Sequence, residues 1–249
     1  MMLTFREIVN FYIQSSIHVG IAVFCLVQLS VQQWSSYSFL VLFGTIVGYN
    51  FLKYSEWFLS TPFFRIQYIG ILGVTLISVL GFLWFFLQQD STVQLHLLIA
   101  FGLVVWYPFI RKTGWLKPFY VSFVVSYITL FIPLKSDLEV IGLFAQRFLL
   151  LSSVMIPFEI LDSSKDAVAM KTLPHCFGIA RTKQIGYGLV GLYSIASLLV
   201  LDNNYFFPIA ALTSLIAIYF STEKRSWYYT SFWVESLPIF WLLVLLFFN

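Results

Sequence analysis

The chain has 249 residues, of which 60% are apolar, 20% aromatic and 10% charged, with a mean hydropathy of +0.88. A water-soluble domain covers its core with about a quarter charged residues, so 14 basic and 11 acidic side chains are too few for an aqueous monomer. The apolar stretches run to about 17–23 residues without the alternation of barrel strands, which leaves helices as the structure able to satisfy its backbone in hydrocarbon. The sequence therefore predicts an all-α, polytopic integral membrane bundle forming one domain over residues 1–249.

In chain order the apolar windows predict about nine spans. The first, roughly 8–30, holds His18 and Cys25. Arg6 and Glu7 ahead of it offset one another, and its length and the lack of an A-x-A-like exit argue against a cleaved signal. The second, roughly 37–59, leads into a polar segment around Lys53 to Arg65. The third and fourth, roughly 67–88 and 95–110, precede a basic turn with Arg111, Lys112 and Lys117. After spans at roughly 118–134 and 138–160 comes the most polar stretch of the chain, Glu159 to Lys183, and the last three windows lie at roughly 183–201, 205–221 and 231–248. Arg147 and Glu235 fall inside spans, where ionisable groups face the bundle interior and either make interhelical contacts or line a site. Cys25 and Cys176 form no CxxC pair, and His18, His96 and His175 show no metal-ligand spacing.

Alternating the loops places Arg6, Lys53, Arg65, Arg111, Lys112, Lys117, Lys165, Lys171, Arg181, Lys183, Lys224 and Arg225 on one side, and Lys135 alone on the other. That asymmetry predicts an odd number of spans and a cytoplasmic N-terminus, with the cell inner membrane as the expected location. The polar loops after spans two, four, six and eight then share one membrane face.

At the end of span six the chain reads Pro157-Phe-Glu-Ile-Leu-Asp-Ser-Ser-Lys-Asp166. Glu159, Asp162 and Asp166 are spaced i, i+3 and i+7, so on a helix they fall within about 60° of one another. Two readings stand side by side. The carboxylates grip a hard cation such as Mg²⁺ that carries a diphosphate, or they form a solvated helix end paired locally with Lys165, Lys171 and Arg181.

The run Asp162-x-x-x-Asp166, followed by Lys171-Thr172-Leu173-Pro174 and Gly178, resembles the second aspartate-rich motif of the UbiA-type intramembrane prenyltransferase superfamily. Tyr107-Pro108 followed by Arg111-Lys112 is similar to that family's Y-P-x-x-K-R after span four. The resemblance implies a UbiA-like bundle that transfers a prenyl group from an isoprenyl diphosphate to a lipophilic, possibly aromatic, acceptor. It further implies Asp162 and Asp166 as Mg²⁺ ligands, with Glu159 beside them in the catalytic group. Asn50, Lys53, Arg111, Lys112 and Lys171 are then the residues expected to meet the substrate.

One half of the family pattern is different here. Where an N-x-x-x-D-x-x-x-D motif would follow span two, the chain has Asn50 but Tyr54 and Phe58 at the carboxylate positions. Glu56 points about 200° round the helix from the preceding register and does not substitute. Lys53 offers an ammonium that contacts a diphosphate directly, or else snorkels to the interface. Two further readings are a catalytically degenerate isoprenoid-binding or structural membrane protein, for which the loss of both carboxylates speaks, and a small transporter.

Overall fold

The computed structural model describes residues 4–60, 66–134, 138–164, 171–199 and 206–248, excepting the side chains of 55–60, 66–67, 138–139, 206 and 248. Among them every regular element is helical. The helices are α1 (Phe5–Gln14), α2 (Ile17–Val31), α3 (Ser36–Ser60), α4 (Ile66–Phe86), α5 (Ser91–Arg111) and α6 (Lys117–Ser126). A π turn at Tyr127–Phe131 joins α6 to the short α7 (Ile132–Leu134), followed by α8 (Leu138–Asp162), α9 (Leu173–Leu199) and α10 (Phe206–Phe220). A second π turn, Tyr229–Val234, leads into α11 (Leu237–Phe248).

Among the described residues, five helical stretches are long and apolar enough to cross a membrane: Tyr68–Phe86, Ser91–Arg111, Lys117–Leu134, Val140–Asp162 and Tyr229–Phe247. Helices also occupy the other expected windows, but these are shorter or more polar. Ser36, Ser38, Asn50 and Lys53 dilute α3, and Arg181, Lys183 and Gln184 dilute α9.

The first window is not one straight helix. The chain bends by 59° between α1 and α2, where Ser16 takes a left-handed conformation (φ 61°). α1 begins with a capping box, in which the Thr4 N–H donates to Glu7 and the Glu7 N–H to the Thr4 hydroxyl. Beyond the bend α2 is enclosed on all sides from His18 to Gln28, as suits a helix with apolar residues all round.

Two hydrophobic clusters meet at α2. One joins Val19, Val23 and Val27 to Tyr37, Leu40 and Val41 of α3, Val93 and Leu97 of α5, and Ile132. The other joins Leu26 to α8, α9, α10 and α11 through residues such as Leu150, Ile156, Tyr193, Ile218 and Trp241. The glycines of α2 and α4 permit close approach: a Cβ on Gly20 would stand 2.8 Å from Ile46, and one on Gly81 2.8 Å from Phe43. α4 and α5 turn large apolar side chains outward, among them Leu80, Trp84, Phe101 and Trp106, as a lipid-facing surface requires.

Two polar side chains inside the bundle bond to neighbouring helices. Arg147 donates to the Leu26 carbonyl (3.0 Å) and to the Ser30 hydroxyl (3.1 Å), so it ties α8 to α2. His18 Nε2 donates to the Phe232 carbonyl at 3.0 Å, which leaves Nδ1 to accept from the Tyr12 hydroxyl at 3.0 Å. The second π turn closes with the Glu235 N–H on the Thr230 carbonyl, and Pro238 in the next turn has no N–H to return to Val234.

Trp241 is fully buried and donates its indole N–H to Thr213 at 2.9 Å, whereas Trp233 is 66% exposed on the outer face. Trp241→Ala should cost about 3–5 kcal/mol of stability and Trp233→Ala less than about 1 kcal/mol. Thermal unfolding of both variants in the same detergent checks the difference.

Candidate functional site

The polar turns converge at one end of the bundle, and hydrogen bonds record their proximity. Tyr228 donates to Asn10, and Tyr54 to the Gln14 carbonyl at 2.9 Å. Ser163 Oγ lies 3.0 Å from Glu223, and Lys183 donates to the Tyr219 carbonyl at 2.8 Å. Tyr54 of α3, the end of α8, Lys183 of α9 and the turn before α11 therefore gather at the same end as the bend of α1–α2.

The bend exposes helix-end carbonyls that lipid would leave unsatisfied, and α3 supplies their donors. Asn50, Lys53 and Tyr54 are spaced i, i+3 and i+4 and so share one face of α3. Asn50 Nδ2 donates to the Ser15 carbonyl at 3.1 Å and to Thr75 Oγ1 at 2.8 Å. Lys53 Nζ lies 3.2 Å from Ser16 Oγ and 3.5 Å from the Ile13 carbonyl. Asn50 and Tyr54, at two positions of the expected first motif, are thus bound to the protein's own backbone. Asn50 is buried by these contacts, while Lys53 remains exposed to a cleft of about 290 Å³ lined by Ile13, Gln14, Tyr54, Trp227 and Ser231. Glu235, one turn beyond Ser231, lies within electrostatic reach of Lys53 and of Tyr49.

The end of α8 carries the second part of the site. Glu159 is 2% exposed, and its Oε1 accepts from Lys117 Nζ at 3.0 Å. Asp162, 39% exposed, places Oδ2 3.8 Å from the same ammonium. Lys117 is the first residue of α6, so the α5–α6 turn delivers a cation to the last turn of α8. Tyr107 interacts electrostatically with Lys117, Arg111, Glu159 and Asp162, and Tyr49 with both Tyr107 and Glu235.

The Thr172-Leu-Pro-His175 segment is fastened to the end of α8. His175 Nε2 donates to the Ser163 carbonyl at 3.1 Å, so Nδ1 accepts from Thr172 Oγ1 at 3.0 Å. Thr172, Leu173 and Pro174 are buried. Gly178 breaks α9 with φ 77° and ψ 161°, a conformation open to glycine and strained in other residues. Lys171 is exposed, as are Arg111 and Lys112, the last with its ammonium 6.0 Å from the Phe109 ring.

Of the expected site residues, Glu159 and Asp162 come together. Asn50 and Lys53 gather at the helix bend. Asp166 and the side chain of Phe58 lie outside the described residues. Among the described residues no three His, Cys, Asp or Glu side chains gather, and the Glu159–Asp162 pair already faces an ammonium. Asp166, the second expected Mg²⁺ ligand, is not among those residues. Lys117 was expected only as a loop cation, and its spacing of 42 residues from Glu159 gives no local signal. No family model, curated protein or solved structure matches the chain.

Asn50→Leu should destabilise the protein by about 1–3 kcal/mol, because the Ser15 carbonyl loses its donor in a buried bend. Tyr54→Phe, removing a more peripheral bond to Gln14, should cost about 1 kcal/mol. Denaturation midpoints of the purified variants give the comparison.

Proposed function

We propose that the chain is a divergent UbiA-type membrane protein of nine spans, with a cytoplasmic N-terminus, that transfers a prenyl group from an isoprenyl diphosphate to a lipophilic acceptor. The observation that supports this reading most is the assembly at one end of the bundle. There Glu159 and Asp162 meet Lys117, the Thr172-Leu-Pro segment is fastened to the end of α8, and Tyr107 of α5 lies within electrostatic reach of the same carboxylates, though these residues are far apart in sequence.

In this reading the diphosphate head lies among Lys53, Arg111, Lys112 and Lys171, whose charges favour departure of pyrophosphate. The C1–O bond of the prenyl diphosphate breaks and the pyrophosphate takes the electron pair. The acceptor's nucleophilic atom bonds to C1 and gives up its proton, for which the partly exposed Asp162 carboxylate is the acceptor at hand. The tail extends between apolar helices, where water is excluded and aromatic faces stabilise positive charge at C1.

A second reading is a non-catalytic isoprenoid-binding protein. Its support is the Tyr54 hydroxyl on the Gln14 carbonyl, which puts a structural contact where the family pattern has a carboxylate.

Purified protein incubated with geranyl, farnesyl and longer diphosphates and a panel of lipophilic acceptors should release pyrophosphate, and Asp162→Asn should lower that rate at least about 100-fold. Saturable binding of the diphosphates without release selects the second reading, and absence of both binding and release overturns the two together.

A further inference from the structure

The polar end neutralises a deep carboxylate with a cation carried on another helix. Glu159, 2% exposed at the end of α8, meets Lys117 from the start of α6 at 3.0 Å. Lys117 also stands 3.8 Å from Asp162, the expected metal ligand, and is itself only 13% exposed. An ammonium so placed competes with a divalent ion in two ways: it uses the carboxylate oxygens, and it repels a second cation brought within a few ångströms in a medium of low dielectric. The tether also removes the cost of capturing a free ion, because the covalent chain holds Nζ in place when α6 packs on α8.

We propose that Lys117 is a resident cation for the Glu159–Asp162 pair, in the position that the family resemblance gives to magnesium, and that the polar end binds an isoprenyl diphosphate without a divalent metal. The proposal rests on the prenyl-diphosphate reading for its ligand, but its metal half is independent of that reading. Lys117 is a positioning residue: it holds the two carboxylates together and sets the charge that the diphosphate meets.

The first test uses the metal ion alone. Thermal unfolding of the wild-type protein in detergent should be unchanged, within about 1 °C, by Mg²⁺, Mn²⁺ or EDTA. Lys117→Gln should unfold at a lower temperature and recover by roughly 3–6 °C in saturating Mn²⁺, as the ion replaces the ammonium beside Glu159 and Asp162. Lys117→Arg should behave as the wild type. A wild-type midpoint that rises with Mg²⁺ or Mn²⁺ as much as that of Lys117→Gln overturns the proposal, as does a Lys117→Gln protein that gains nothing from either ion.

The second test needs no variant. Wild-type protein should bind farnesyl diphosphate with a Kd that agrees within about twofold in EDTA and in Mg²⁺, and a loss of tenfold or more in EDTA overturns the proposal. Failure to bind under both conditions instead sinks the prenyl-diphosphate reading, while the thermal measurements still decide the metal question.

Discussion

A carboxylate held 2% exposed at the end of a membrane helix has to be neutralised by something the chain carries or recruits, and here the partner is Lys117. Breaking such a pair leaves a buried charge, at a cost of about 3–5 kcal/mol, so α6 and α8 are bound to one register at this end. The α5–α6 turn is drawn in by the same contact, with Gly114 in a left-handed conformation (φ 62°) before Lys117 enters α6. Tyr107, at the end of α5, then stands over the pair. One ion pair thereby positions three helix ends.

The same requirement explains the bend at Ser15–Ser16. A helix interrupted in an apolar bundle leaves carbonyls without partners, and the chain answers with three donors on one face of α3. The π turns are answered likewise: Tyr37 donates to the Ile128 carbonyl at 2.6 Å, and His18 to the Phe232 carbonyl. At these three breaks a side chain from another helix meets the irregular backbone. At the polar end two of the donors involved, Lys53 and Tyr54, also line the cleft, so the device that stabilises the break also shapes the candidate site.

Much of this end was visible in the amino-acid order. The cluster of Glu159 and Asp162 follows from an i, i+3 spacing, and the gathering of the basic turns follows from the alternation of loops. The role of Asn50 did not follow in this way. Its match to a family motif suggested a substrate contact, while its amide is used on Ser15 and Thr75, residues 35 and 25 positions away. His175 looked like an exposed loop residue, yet it fastens Thr172 to Ser163 through both ring nitrogens. The bend was hidden because Gln14-Ser15-Ser16 contains neither proline nor glycine and lies inside an apolar window.

Composition and the length of the apolar runs by themselves determined that the chain is a helical bundle suited to a membrane, since few charges and long unalternating windows leave no other way to satisfy the backbone. Only the tertiary structure decided which cation meets which carboxylate. Lys117 and Glu159 belong to helices whose pairing depends on how α6 packs against α8, and a contact across that distance in sequence leaves no periodic trace from which to read it.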